Sequence, residues 1–290
     1  MKVVITGAKG QVGYELMESA PADLEVFGFD SSTLDITDKE VVQSKISEIQ
    51  PDIIINSAAY TAVDRAESNA ADAWRVNRDG VAHLGGVAHQ LGIPVFHIST
   101  DYVFSGDASS PYKEDDLTAP TGVYGESKLA GEQILRSTCH QHIVLRTSWV
   151  FGAHGNNFVK TMLRLAGERD KLSIVSDQVG SPTSARSIAK TIWKLVELYQ
   201  YHSDLNWGVY HFSGSPACSW YEFSKEIFDQ AIDIGLLNQK PVISPIVTSE
   251  YPTPAKRPLY SVLDSSSIKQ QFGIDASDWR DELKLVLKAL

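Results

Sequence analysis

The sequence predicts an α/β protein built on a doubly wound parallel sheet. Three observations carry this expectation. A short apolar run, Lys2–Thr6, passes through Gly7, Gly10 and Gly13 into a helical stretch over 14–20. Further apolar runs of strand length, at 25–29, 53–56, 95–99 and 143–147, alternate with helical stretches. Strands separated by helices are joined by crossovers, which make neighbouring strands parallel. The third observation is size: 290 residues, 43% of them hydrophobic, bury a large core in one or two domains.

Composition also excludes some functions. The net charge is −10 and no basic block appears, so neither nucleic acid nor a membrane surface is an expected partner. An anionic ligand would need local positive groups. The apolar run within 1–7 is too short for a signal peptide, and none approaches the ~18 residues of a membrane span. Cys139 and Cys218 are the only cysteines, which points to a reducing, cytoplasmic setting. His140 and His142 lack a neighbouring third ligand, so no metal is expected there.

Gly7-Ala8-Lys9-Gly10-Gln11-Val12-Gly13 joins strand to helix. Such a turn cradles a dinucleotide pyrophosphate. Gly7 permits the tight turn, Gly10 admits the ligand, and Gly13 lets helix pack on strand. The helix N-terminus then offers free N–H groups. The next strand, Glu25–Phe29, ends at Asp30. A carboxylate there can hold the adenosine ribose and repel a 2′-phosphate, favouring NADH. Lys9, Ser31 and Ser32 could instead accommodate that phosphate, so NADPH stays open, and Asp30 could simply cap a turn. Asp35 and Ile36 follow in a loop expected beside the adenine, before a helix over 37–49.

After strand Ile53–Asn56, the small residues Ser57, Ala58, Ala59, Tyr60 and Thr61 leave room at a strand end, where doubly wound sheets bind ligands. One long helix is expected over 67–90. Strand 95–99 then delivers Ser99-Thr100-Asp101, and a loop over 105–121 leads to Tyr124-Gly125-Glu126-Ser127-Lys128. Residues four apart on a helix share a face. A lysine ammonium beside tyrosine stabilises tyrosinate and lowers the phenol from its usual pKa of about 10. Tyr124 is therefore the expected proton donor, Lys128 its support, and Thr100 a hydrogen-bond partner for the reacting oxygen. Trp149 leaves the strand at 143–147 facing the same cleft, or lies in the core. Beyond it the expected elements are a helix over 156–167, a strand at 172–175, a polar turn over 177–183, a helix over 188–198, a strand at 209–212 and a helix over 220–234. The proline-rich loop 251–258 holds Arg257 where a guanidinium could grip phosphate.

The glycine turn, Ser-Thr-Asp-Tyr-Val-Phe at 99–104 and Tyr-Gly-Glu-Ser-Lys at 124–128 resemble the extended short-chain dehydrogenase/reductase family. Arg146-Thr147-Ser148-Trp149-Val150, the runs 156–165 and 177–183, and the loop 251–258 resemble its dTDP-4-dehydrorhamnose reductase branch. The resemblance implies a Rossmann-type domain over 1–148 plus about 188–214, binding NADPH or NADH. It implies a smaller α/β substrate-binding domain over 149–187 plus 215–290, taking a dTDP-sugar. Reduction of a sugar C4 ketone is the implied reaction, as the last step in making dTDP-L-rhamnose. Thr100, Asp101, Trp149, Asn156 and Arg257 are the implied substrate contacts, and Lys128 also reaches the nicotinamide ribose. A dehydratase of the superfamily would carry Glu after the aspartate, whereas Tyr102 follows Asp101. Some relatives dimerise around magnesium held by two glutamates. Glu15 fits the first, but Arg186 stands where the second is expected, so a metal-bridged dimer is not expected and the chain is a monomer or homodimer. Two rivals share these motifs: another nucleotide-sugar reductase or epimerase, and a non-catalytic NADP-binding regulatory subunit.

Overall fold

The computed structural model describes residues 1–290. The chain begins β1 (Lys2–Thr6), α1 (Gln11–Glu18), β2 (Glu25–Phe29), α2 (Lys39–Ile49) and β3 (Ile53–Asn56). Asp38 starts α2 by accepting from Glu40 N at 3.0 Å and Val41 N at 3.1 Å, which satisfies donors the helix leaves open. The long helix expected over 67–90 is instead four pieces. These are α3 (Val63–Ser68), α4 (Ala70–Trp74), a π-helical turn at Arg75–Asp79, and α5 (Gly80–Leu91). Asn69 causes the first break, its backbone at φ −130° and its amide donating to Asp72 Oδ2 at 2.7 Å. The π turn aims Asn77 inward: its amide donates to Tyr60 O at 3.1 Å and Ser127 Oγ at 3.0 Å, and its oxygen accepts from Tyr60 N at 2.8 Å. These long-range bonds outweigh the regular ladder.

β4 (Val95–Thr100), α6 (Val123–Thr138) and β5 (His142–Thr147) follow, and β6 is Val150–Phe151. Next come α7 (Phe158–Glu168), β7 (Lys171–Val175), β8 (Val179–Gly180), β9 (Thr183–Ser184), α8 (Ala185–His202) and β10 (Gly208–His211). The chain finishes with β11 (Cys218–Ser219), α9 (Trp220–Asp233), β12 (Val242–Ile246), α10 (Ser266–Phe272) and α11 (Trp279–Lys288). The six-stranded sheet runs β10-β5-β4-β3-β1-β2, with every pairing parallel. Its order reverses between β1 and β3, and ligands bind at the carboxyl ends of strands at such a point. Buried Val and Ile on both strand faces explain why these runs lack alternation.

Val3, Ile5 and Ile55 pack with α1 and α8 on one face, while Val4, Ile54 and Val95 pack with α2 and α5 on the other. A separate core joins Phe151, Phe223, Phe228 and Trp279 beneath α7, α9 and α11. The strand expected at 172–175 is β7, but its parallel partner β12 and helix α11 have no counterpart in the sequence expectations. No helix is long and apolar enough to cross a membrane.

Candidate active site

A cleft of about 580 Å³ opens at the carboxyl ends of β1, β3, β4 and β5. The glycine turn forms one wall. Gly7 has φ +75°, and a Cβ there would lie 2.6 Å from Ala58 N. At Gly13 a Cβ would lie 2.1 Å from Gly7 O, so helix and turn touch through bare backbone. Tyr14 N bonds back to Gly10 O at 2.8 Å, and by helix geometry the N–H groups of Gln11, Val12 and Gly13 stay open. This cradle fits a pyrophosphate. Gly13→Ala is expected to displace the turn and weaken NADPH binding about five- to hundredfold, read by fluorescence titration, because overpacking costs ~1–3 kcal/mol.

Gly10, Gln11 and Val12 border the cleft directly, as do Ala59 and Thr61 after β3. Ala58 packs behind Gly7. Tyr60 is tied by its backbone to Asn77. Asp30 sits at the end of β2 in an ion pair with Lys9, and it accepts from Ser32 N at 2.8 Å and Thr33 N at 3.2 Å. The Lys9 ammonium and these donors hold the Asp30 carboxyl below the usual range. The two groups that pulled the cofactor expectation opposite ways are thus partners in the protein. Asp35 is exposed, accepting from Thr37 N at 2.9 Å. Ile36 requires a correction: its side chain is a core residue, 4% exposed, against Gly80 where a Cβ would lie 2.6 Å from Cγ1. Packing of that loop against α5 places the side chain in the core with Val81 and Leu84.

The other wall brings together Ser99, Thr100, Asp101, Tyr124 and Lys128. Thr100 Oγ1 donates to Asp101 Oδ1 at 2.9 Å and accepts from Tyr102 N at 3.2 Å. Its hydroxyl also meets the Tyr124 phenol. Gly125 and Gly131 let α6 lie this deep, since a Cβ would sit 2.2 Å from Tyr102 O and 2.0 Å from Asn77 O respectively. Two buried polar atoms on this wall have no hydrogen-bond partner, Asp101 Oδ2 and Thr147 Oγ1. Unpaired buried polar atoms are costly, and a polyhydroxyl ligand would satisfy them. Burial pushes the Asp101 carboxyl up to about 6, opposed by the nearby Ser261 hydroxyl and by Thr100.

The expected acidity of Tyr124 requires a second correction. Burial raises its phenol well above the usual value, and the Thr100 hydrogen bond only partly opposes this. Lys128 is not bonded to the phenol. It donates to Ile98 O at 2.6 Å and meets His97 Nε2 at 3.3 Å, and burial lowers it to about 8. Desolvation of both groups outweighs their proximity on α6.

Trp149 borders the cleft, but one indole face is already stacked on Trp220 at 3.5 Å. Its backbone has φ +47°, a left-handed conformation rare for a bulky residue and held by that stack. Asn156 lines the cleft beside it. Its neighbour Asn157, unflagged in the sequence reading, caps α7 and donates to Gln11 Oε1 at 2.9 Å, tying α7 to the glycine turn. Arg257 is a third correction. Its guanidinium pairs with Asp64 Oδ2 at 2.6 Å and donates to Tyr102 OH at 3.1 Å, rather than lining the cleft. Asp64 also accepts from Ala255 N at 3.2 Å, so α3 clamps the proline-rich loop. Near Glu15, burial raises the carboxyl while the Arg186 charge opposes it.

Sequence reasoning also missed a buried pair below the site. Arg146 Nη2 donates to Glu132 Oε2 at 2.7 Å and Nε to Oε1 at 3.0 Å, while Ser99 Oγ donates to Glu132 Oε1 at 2.5 Å. Charged residues within apolar strand 142–147 and on the α6 face one turn past Lys128 were the available signal.

A doubly wound sheet with a glycine cradle, and a Thr-Tyr-Lys set facing it across one cleft, defines an extended short-chain dehydrogenase/reductase. The family model described as RmlD substrate binding domain matches residues 1–290. The chain belongs to that family, the dTDP-4-dehydrorhamnose reductases. It is 46% identical to dTDP-4-dehydrorhamnose reductase of Aggregatibacter actinomycetemcomitans, covering 98% of this chain and 97% of that one. A solved dTDP-4-dehydrorhamnose reductase from Clostridium acetobutylicum superposes with TM-score 0.92 at 37% identity, covering 99% of both chains. The Bacillus anthracis enzyme, solved in complex with NADP, gives TM-score 0.92 at 38% identity, covering 100% of this chain and 99% of that one.

Proposed function

We propose that this protein reduces the C4 ketone of dTDP-4-dehydro-β-L-rhamnose to dTDP-L-rhamnose, with NADPH or NADH as reductant. The observation that carries this is one cleft joining the glycine cradle to Thr100, Tyr124 and Lys128, in a chain whose full-length relatives bear that name. When bound, the nicotinamide supplies hydride to the ketone carbon. Thr100 holds the ketone oxygen, and Asp101 Oδ2 accepts from a neighbouring sugar hydroxyl. Tyr124 donates its proton to the alkoxide as charge develops. Burial keeps that proton in place across the working pH range, and an alkoxide is basic enough to take it. Lys128 stabilises the tyrosinate left behind and bonds the nicotinamide ribose. Trp149 and Asn156 border the sugar end.

Residues 1–148 with about 188–214 form the cofactor domain, and 149–187 with 215–290 the sugar-nucleotide domain. The common core of Phe151, Phe223 and Trp279 supports the second grouping. The protein works in the cytoplasm as a monomer or homodimer; two free buried thiols suit that setting.

Steady-state assays at 340 nm with dTDP-4-dehydrorhamnose and each cofactor test the reading. Turnover of a GDP-linked keto-sugar alone, or no cofactor oxidation with any keto-sugar, overturns it. The pH profile is a second check. The Asp101 carboxylate is lost below about 6 and the Lys128 ammonium above about 8. kcat/KM is therefore expected to rise through the first value and fall past the second, by about tenfold per unit on each limb. A profile flat from pH 5 to 10 contradicts it.

A further inference from the structure

Under α6 runs a buried polar chain that the reaction as described leaves unused. It begins at Thr6, whose hydroxyl donates to Asn56 Oδ1 at 2.7 Å. Ala58 N–H donates to the same oxygen at 3.1 Å. Two donors fix which end of the amide is oxygen, so the Asn56 NH₂ faces His97 Nδ1 at 2.9 Å. Nδ1 must accept there, and a neutral imidazole then carries its only proton on Nε2. His97 is 1% exposed, and burial holds it neutral. Nε2–H is thus directed at Lys128 Nζ, 3.3 Å away. An ammonium has three donors and no acceptor, so two N–H groups would oppose each other across this contact. A neutral amine has a lone pair for Nε2–H and still donates to Ile98 O at 2.6 Å.

We propose that His97 is a positioning residue for Lys128: with its tautomer locked by Asn56, it biases the lysine towards the neutral amine in the free protein, and cofactor binding shifts it back to the ammonium. This rests on the NAD(P)H site proposed above. The surrounding titratable groups agree with it. Glu132, one turn further along α6, favours the ammonium, but its carboxylate is engaged by Arg146 from β5 and by Ser99 from β4. Tyr124, one turn back, stays protonated. Asp101 beyond β4 is bonded by Thr100, and Lys9 at the glycine turn is paired with Asp30. No carboxylate hydrogen-bonds Lys128, whose partners are Ile98 O and His97. Ribose hydroxyls add acceptors that favour the charged form. The proton passes from buffer to Nζ, and no other covalent bond changes.

Calorimetric titration with NADPH in phosphate and in Tris at pH 8 counts that proton. Uptake of about half a proton is expected, because Lys128 titrates near 8. In His97→Gln the amide can turn its oxygen to the ammonium, so uptake should fall towards zero while NADPH still binds. Nitrogen-15 NMR of the wild type, with His97 assigned through its contacts to the Asn56 amide, reads the tautomer without any variant. A bare Nδ1 with Nε2–H is expected. Nδ1–H, or NADPH binding without proton uptake, overturns the inference. Failure of NADPH to bind at all overturns the nicotinamide reading together with it.

Discussion

Tyr124→Phe should lower kcat by a factor of order 10²–10⁴ with little change in NADPH affinity, the usual contribution of a positioned acid. The phenol is buried against Thr100 and edge-on to Tyr102 at 5.4 Å, so losing one oxygen leaves the packing intact. What disappears is the phenol proton that burial holds in place beside Thr100 for an alkoxide. Thr100 cannot replace it, because an alcohol hydroxyl is a weaker acid than a phenol and hydrogen-bonds the oxygen without giving up its proton. Single-turnover measurement of NADPH oxidation separates this from slow product release. Activity within threefold of wild type would move the donor elsewhere. The same assay excludes the regulatory-subunit alternative, since a non-catalytic protein has no rate to lose.

Glu132→Ala should destabilise the protein by about 3–5 kcal/mol, the range for stranding one member of a buried ion pair. Arg146 and Glu132 side chains are 3% and 1% exposed, and two of the three guanidinium nitrogens are spent on the carboxylate. The third meets His211 Nε2 at 3.4 Å, an imidazole that burial and the Arg146 charge keep unprotonated and that has no negative charge to replace the carboxylate. Ser99 at the cleft edge would lose its acceptor as well. Urea unfolding reads the loss. Pairing Glu132→Leu with Arg146→Met should restore most of it, since a matched apolar pair removes both buried charges. If the double variant is no more stable than Glu132→Ala, the loss comes from packing rather than from an uncompensated charge.

How much was legible differs from element to element. β1 and β3 stand where the apolar runs put them, because a strand buried on both faces needs an unbroken hydrophobic stretch. The glycine turn was readable because backbone contact at Gly7 and Gly13 admits no other residue type. Tyr124 and Lys128 were readable from helical spacing together with the glycine turn in the same chain. The break at Asn69 and the π turn were not, since the Asn77 bonds that maintain them reach to Tyr60 and Ser127. Arg257 read as a free cation because Asp64, its partner, lies far away in sequence. Trp149 stayed open between cleft and core because Trp220, which stacks on it, arrives from another element.

By itself, the sequence determined the alternation of strand and helix, the phosphate cradle, and the trio of Thr100, Tyr124 and Lys128. Each is written in local spacing, and local spacing fixes backbone geometry. Only the tertiary structure decided the protonation of those groups. Charge depends on burial and on partners such as His97 and Glu132, which other strands and turns bring within a few ångströms.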